Sequence, residues 1–154
     1  HWQAIRHFPG SGWVVPHLVG LRDGTEKCEC GCGEATEKIE FGPVGLDPTG
    51  PAAALIPDLE DAGFEVLEVG GRTLVKAWGT FSKDVDDDRG RHTGEFTVTQ
   101  AIKDAATAPS GDVERFSRKK STGDICPLVA VTISDHVERE AAKVKPKDPL
   151  VAWR

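Results

Sequence analysis

The stretch VGLDPTGPAAALIPDLEDAGFEVLEV, residues 44–69, constrains the fold more than any other part of the chain. A short apolar run stops abruptly at Asp47, and a turn rich in proline and glycine follows. The apolar spacing of residues 53–59 then predicts a helix that ends at Gly63, and residues 64–69 alternate as in a strand. A strand, a helix and a second strand in this order predict a parallel pair within an α/β sheet.

The rest of the chain continues this alternation. We predict strands at residues 1–8, 39–47 and 111–119, and helices at residues 13–24 and 97–108. Residues 70–85 allow two interpretations, a hairpin around a glycine pair or a helix. Apolar side chains recur there at spacings of four, three and four, which favours the helix.

The segment after Asp124 gives the clearest helical pattern. Apolar β-branched residues recur at every fourth position, at Ile125, Val129, Ile133 and Val137. Asp124 stands at the N-cap position and Pro127 falls in the first turn, where proline is tolerated. We therefore predict a long helix with one apolar face toward the core.

Composition sets broad limits on function. The chain has 154 residues, enough for one domain with a core, and no stretch has the roughly 18 apolar residues of a membrane span. Its net charge of −6 argues against attraction of the whole surface to nucleic acid or anionic membranes. The charges are uneven, however, and a local basic cluster can still bind phosphates: Arg115, Arg118, Lys119 and Lys120.

The start of the sequence and its cysteines suggest how the chain is produced and in which cellular compartment it lies. The sequence starts at His1 and contains no methionine, so we expect a processed protein or an excised fragment. No secretion signal is visible, which favours a reducing compartment for the four cysteines. We expect a cytoplasmic protein without a membrane partner.

Several segments, in the right order, resemble the C-terminal nuclease domain of the large terminase subunit of tailed phages, above all that of actinobacterial phages and prophages. The resemblance spans roughly residues 1–135 and is carried by residues 44–69, AWGTFSKDV, RHTG and RFSRKKSTGDICPLVAVT. It implies an RNase H-like fold, a mixed five-stranded sheet flanked by helices. We assign this domain to residues 1–143, and residues 144–154 to an extended tail.

The resemblance also implies an activity, the cleavage of double-stranded DNA during genome packaging in the host cytoplasm. The family holds two Mg²⁺ or Mn²⁺ ions on acidic residues, and Asp47 and Asp124 match two of these acids as metal ligands and catalytic residues. Two hard cations can clamp the attacking and the leaving oxygen of a phosphodiester. Expected partners are double-stranded DNA, other terminase subunits and the portal, with DNA contacts at Arg115, Arg118, Lys119, Lys120 and His92.

This sequence departs from the family pattern at one acid. The region HWQAIRHFPGSGWVV offers no match for the aspartate of the family's first strand, and the first two strands have no counterpart. We therefore expect weak metal binding and little or no cleavage by this fragment, and a non-catalytic fragment that binds DNA or a protein partner is the first alternative. The phosphate-binding loop of the packaging ATPase, G-x-x-x-x-G-K-[ST], is also absent from the sequence.

Other patterns leave further interpretations open. Asp47 and Asp124 are also suited to cap helices without any ligand. Cys28, Cys30 and Cys32 suggest a small zinc-binding interaction protein if another side chain completes the site, although Cys126 lies too far along the fold to be that ligand. Acidic residues from Asp84 to Glu95 follow a calcium-loop spacing, but Arg89 stands where the turn needs glycine.

Overall fold

The computed structural model describes residues 6–27, 35, 37–90, 94–110 and 113–144, which form a mixed fold of helices and short strands. The helices are α1 (Val14–Asp23), α2 (Ile56–Asp61), α3 (Gly71–Asp86), α4 (Phe96–Asp104) and α5 (Cys126–Val144). The strands are β1 (Val44–Leu46), β2 (Val66–Glu68), β3 (Thr107–Ser110) and β4 (Val113–Phe116). None of the described helices is long and apolar enough to cross a membrane.

Strands β1 and β2 form the parallel pair predicted from residues 44–69. Val44 lies opposite Val66 and Leu46 lies opposite Glu68, and the chain between them passes through a 3₁₀ turn, Pro51–Leu55, and helix α2. Strands β3 and β4 form a separate antiparallel hairpin. The described strands thus form two two-stranded sheets. The five-stranded RNase H-like sheet stays a prediction.

Helix α5 is buried on two of its faces. The predicted face of Ile125, Val129, Ile133 and Val137 is buried and packs with Val69 and Ala77. A second face, which the spacing of four does not include, is buried against α3 and α4 through Leu128 and Val131. Strand β1 also contacts α5, with Gly45 against Ile133 and Val137.

Two predicted helices agree closely with the structure. Helix α1 ends at Gly24, whose φ of 69° is the left-handed conformation that favours glycine at a helix end. Helix α3 covers the segment for which a hairpin was the competing interpretation, and it buries Ala77 and Phe81. The persistent apolar spacing was therefore the better guide there than the glycine pair.

Other predicted elements are wrong in extent. Strand 39–47 shrinks to β1, preceded by Gly42 and Pro43, because proline has no N–H to donate to a sheet. The helix at 97–108 ends at Asp104, and β3 follows it. A helix through Pro109 would place its ring against the carbonyl of Ala105, so the chain turns extended instead. Residues 6–8 form no strand, and residues 1–5 and 145–154 lie outside the described residues.

The acidic residues near position 84 serve packing between helices. Asp84 and Asp86 lie within α3, so the loop that the calcium alternative needs is not formed there. Buried Asp84 contacts Arg139 of α5, and its Oδ1 lies 3.0 Å from Arg89 Nη2. Arg139 also pairs with buried Asp135, with 2.8 Å between Nε and Oδ2. These arginines neutralise two buried carboxylates and join α3 to α5.

Gly45 tests the close approach of β1 to α5. A Cβ on Gly45 would lie 2.5 Å from the Ile133 Cγ2 atom and 2.6 Å from the Val137 Cγ2 atom. We expect Gly45→Ala to lower the free energy of unfolding by about 1–3 kcal/mol, because the packed helix has to move. Gly79→Ala in α3 is the control, since its Cβ meets no atom within 4 Å and alanine favours a helix. Equal urea midpoints for the two variants would contradict the close packing.

Candidate functional site

Asp47 follows β1 directly and is almost completely buried, with 5% of its surface exposed. Its Oδ1 accepts hydrogen bonds from the Thr49 backbone N–H at 3.0 Å and from the Thr49 hydroxyl at 2.7 Å. These bonds are local and form because a short polar side chain can fold back onto the turn that follows a strand. Asp47 therefore closes a turn with Thr49 through one oxygen. The helix cap predicted as its simple role is wrong, because Gly50 is the N-cap of the 3₁₀ turn and no side chain of the described residues caps it.

The other oxygen of Asp47 faces a cation. Oδ2 lies 3.6 Å from Arg118 Nη1, which is beyond ordinary hydrogen-bond distance. A Cβ at Gly50 would lie 3.1 Å from this Oδ2 atom and 3.4 Å from Arg118 Nη2. The glycine at position 50 thus leaves room for a positive group beside the carboxylate, and within the described part of the chain Oδ2 accepts no hydrogen bond.

Asp124 precedes α5 and caps it. Its Oδ1 accepts a hydrogen bond from the backbone N–H of Cys126 at 2.8 Å, and its Oδ2 lies 3.2 Å from His7 Nε2. The hydrogen bond from the Cys126 N–H, with a smaller contribution from His7, lowers the pKa of the Asp124 carboxyl. More than half of the side chain, 56%, is exposed, so Asp124 stays ionised and accessible to a ligand.

Arg118 and Cys126 each contact one of the two acids. Arg118 pairs with Asp47, and the Cys126 backbone N–H donates to Asp124. Burial, then Asp124, raises the pKa of the Cys126 thiol, and Arg118 opposes this shift. That Asp47 and Asp124 converge on one site stays a prediction.

One of the predicted DNA-contact residues, Arg118, contacts a predicted acid, Asp47. Arg115 is on β4, and Arg118, Lys119 and Lys120 form the turn after it. Arg115, Lys119 and Lys120 are exposed and make no ion pair with any described residue. His92 lies outside the described residues. Three exposed cations thus lie on the strand and the turn that carry Arg118.

A polar network fixes the loop that carries Asp124 and the basic turn. The Thr122 backbone N–H donates to the Asp104 carbonyl at 3.0 Å, and the Thr122 hydroxyl donates to the Asp104 carboxylate at 3.2 Å. The Ser121 hydroxyl donates to the Ser117 carbonyl at 2.8 Å and accepts the Ala106 N–H at 3.0 Å. The end of α4 therefore holds residues 117–124 in place.

Sequence reasoning did not find three members of this site. His7 contacts Asp124 across 117 positions of the chain, the Cys126 N–H donates to Asp124, and Asp104 anchors the loop. His7 stood in a segment predicted as a strand, and Asp104 in the last turns of a predicted helix. Nothing in either local pattern marks a contact with residues 122–124, because both contacts depend on the tertiary fold.

The donor set fits one hard cation better than two. Among the described residues, no group of three or more His, Cys, Asp or Glu side chains could hold a metal ion. Mg²⁺ is commonly bound by one or two carboxylates together with substrate phosphates and water. Asp47 and Asp124 match that smaller demand, because both offer hard oxygen ligands and Asp47 Oδ2 accepts no hydrogen bond from the described residues. The two-cation centre stays a prediction from the resemblance.

The zinc alternative concerns a different part of the chain. Cys28, Cys30 and Cys32 lie outside the described residues, and Cys126 is a free thiol. Cys126 interacts with Asp124 and Arg118, as described above. The three-cysteine site stays a prediction.

Comparison with known proteins gives no relative. No protein-family model, no curated protein and no solved structure matches the chain. The resemblance to terminase nucleases rests on the sequence segments alone.

Acid titration tests the cap formed by Asp124. We expect Asp124→Ala to lower the free energy of unfolding by about 1 kcal/mol at neutral pH, because α5 loses an N-terminal acceptor. The pKa of Asp124 is lower in the folded chain, so its contribution is complete above the ordinary value of 3.8 and is lost as the pH falls through the lowered value. The difference from wild type, measured by urea unfolding, should shrink in acid. Asp124→Asn keeps the acceptor without the charge and is the control, and a pH-independent deficit of the alanine variant would contradict the cap.

Proposed function

We propose that this chain is a metal-dependent endonuclease domain that cleaves double-stranded DNA, related in fold and role to the RNase H-like nuclease domain of phage terminase large subunits. One observation carries the proposal. Buried Asp47, at the carboxyl end of β1, pairs with Arg118, which opens a basic turn that leads to Asp124 before α5. A buried acid whose outer oxygen accepts no hydrogen bond from the described residues, paired with an arginine of an exposed basic turn, is an arrangement that suits a phosphodiester and a divalent cation.

Each residue of the site has a role in this proposal. Asp47 and Asp124 are the residues that would hold Mg²⁺ or Mn²⁺, and a bound cation supplies a polarised phosphoryl oxygen and a more acidic water. Arg115, Lys119 and Lys120 bind backbone phosphates and place the duplex without reading its sequence. Thr49 and the Asp104 network keep the acids and the basic turn in position.

The wider role follows from the same resemblance. We propose that the domain acts in genome packaging, with the other terminase subunits and the portal as its partners. The parallel β1–β2 pair, with an acid at the carboxyl end of β1, is the feature of this fold that supports an RNase H-like arrangement. Ligands in open α/β sheets gather at that end of the strands.

A second candidate function is DNA binding without cleavage. Two observations favour it. Among the described residues, no group of three or more His, Cys, Asp or Glu side chains could hold a metal ion. Asp47 is also already paired with Arg118. Such a domain would hold the duplex through its basic turn. Binding and cleavage assays separate the two candidates.

Cleavage of supercoiled plasmid tests the first candidate. We expect nicking with Mn²⁺ and none with Ca²⁺, and we expect Asp47→Ala to reduce nicking to the cation-free level, because the buried ligand is lost. Asp61→Ala is the matched control, since Asp61 is an exposed acid at the end of α2. If wild type does not nick with any divalent cation but still binds the plasmid, the second candidate replaces the first.

Salt dependence tests the basic turn. We expect the double variant Lys119→Ala, Lys120→Ala to weaken duplex binding equally for unrelated sequences and to reduce the slope of log affinity against log salt by about 2, one unit per phosphate contact. Lys103→Ala, an exposed lysine on α4, is the control and should leave the slope unchanged. An unchanged slope in the double variant, measured by fluorescence anisotropy, would remove these lysines from the interface.

A further inference from the structure

Asp47 carries a negative charge in a nearly buried position with an incomplete set of partners. Thr49 satisfies Oδ1, while Oδ2 faces Arg118 Nη1 at 3.6 Å without a hydrogen bond. A buried carboxylate needs a cation nearby, because the loss of hydration is otherwise too costly. Arg118 provides that positive charge, but at 3.6 Å its guanidinium makes no hydrogen bond with the carboxylate.

Arg118 is placed so that it can leave. Its side chain is 44% exposed, whereas that of Asp47 is 6% exposed. It belongs to the same turn as Lys119 and Lys120, which are exposed and unpaired among the described residues. A guanidinium binds phosphate through two parallel N–H groups, and the exposed part of the Arg118 side chain already faces solvent.

Asp47 and a DNA phosphate compete for the Arg118 guanidinium. A phosphate brought to the guanidinium while it faces Asp47 meets the carboxylate charge at short range, and the two anions repel each other. If Arg118 turns away to the phosphate, Asp47 is left buried without a counter-ion. A divalent cation on Asp47 removes both costs at once.

We propose that Arg118 is an exchangeable counter-ion that couples cation binding to DNA binding at this site. In the free protein Arg118 neutralises Asp47. When a divalent cation binds Asp47, Arg118 is released and contacts a DNA phosphate, so each ligand strengthens the binding of the other. This inference rests on the proposed function, because it takes Asp47 as a cation ligand and the basic turn as a phosphate site.

Binding measurements without cleavage test the coupling. Ca²⁺ is titrated into the protein by calorimetry, and the affinity for a short DNA duplex is measured with and without saturating Ca²⁺. For wild type we expect Ca²⁺ to tighten duplex binding at least about fivefold. We expect Arg118→Gln to bind Ca²⁺ more tightly than wild type in the absence of DNA, because the competing internal cation is gone, and to lose most of the coupling.

Lys119→Gln is the matched control, since it removes one positive charge from the neighbouring position of the same turn. It corrects for the general effect of charge on Ca²⁺ affinity, and it should keep the wild-type coupling. Arg118→Lys is the second variant, in case glutamine prevents folding. It keeps a positive charge near Asp47 but not the two-pronged phosphate contact, so it should also lose coupling, with Ca²⁺ affinity near that of wild type.

The outcomes separate this inference from the proposed function. If Arg118→Gln and Lys119→Gln bind Ca²⁺ equally well and show equal coupling, Arg118 is not the exchangeable counter-ion, while the cation site itself stands. If wild type binds no Ca²⁺ or Mn²⁺, and Asp47→Asn does not differ from it, the cation site is absent and the coupling is refuted with it.

Discussion

The burial of helix α5 on two faces is the constraint on which the remaining structure depends. One face packs against β2 and α3 through Ile125, Val129, Ile133 and Val137, and the other against α3 and α4. Strand β1 reaches α5 because Gly45 has no side chain. Once that contact forms, Asp47 at the carboxyl end of β1 lies against Arg118, in the turn that precedes α5 in the chain.

The buried carboxylates of this fold have two different kinds of partner. Asp84 and Asp135 share Arg139, and Asp84 has Arg89 as a second cation, so their charges are fully matched within the packed helices. Asp47 is equally buried, yet its outward oxygen has one distant guanidinium. Fully matched buried charges fix the arrangement of helices. A partly matched charge at the edge of a sheet is instead a place where a ligand gains by completing the set.

Local patterns predicted the elements that form the frame of the site. The spacing of four identified the core face of α5, and the turn chemistry after residue 46 located Asp47 at the end of a strand. Patterns failed where the tertiary fold decides. Ala105 and Ala106 of the predicted helix became the approach to β3, and Thr107 became its first residue, because β4 offers a partner and Pro109 cannot continue a helix. The contacts of His7 and Asp104 with the loop before α5 join distant segments, so no local spacing reveals them.

Electrostatic interactions couple the basic turn at residues 115–120 to the charge of Asp47. The chain has a net charge of −6, so its average surface repels a duplex, and attraction depends on the few cations at residues 115–120. Ionic screening limits that attraction to roughly 8 Å at physiological salt, so a carboxylate within contact of the turn weakens it and one across the molecule does not. Asp47 is such a neighbour, since it faces Arg118 directly. A divalent cation at Asp47, as proposed above, would change the local charge from −1 to +1 and would alter the potential of the turn more than a comparable change at a distant acid. A surface that is acidic on average would in this way gain attraction for phosphates at one place.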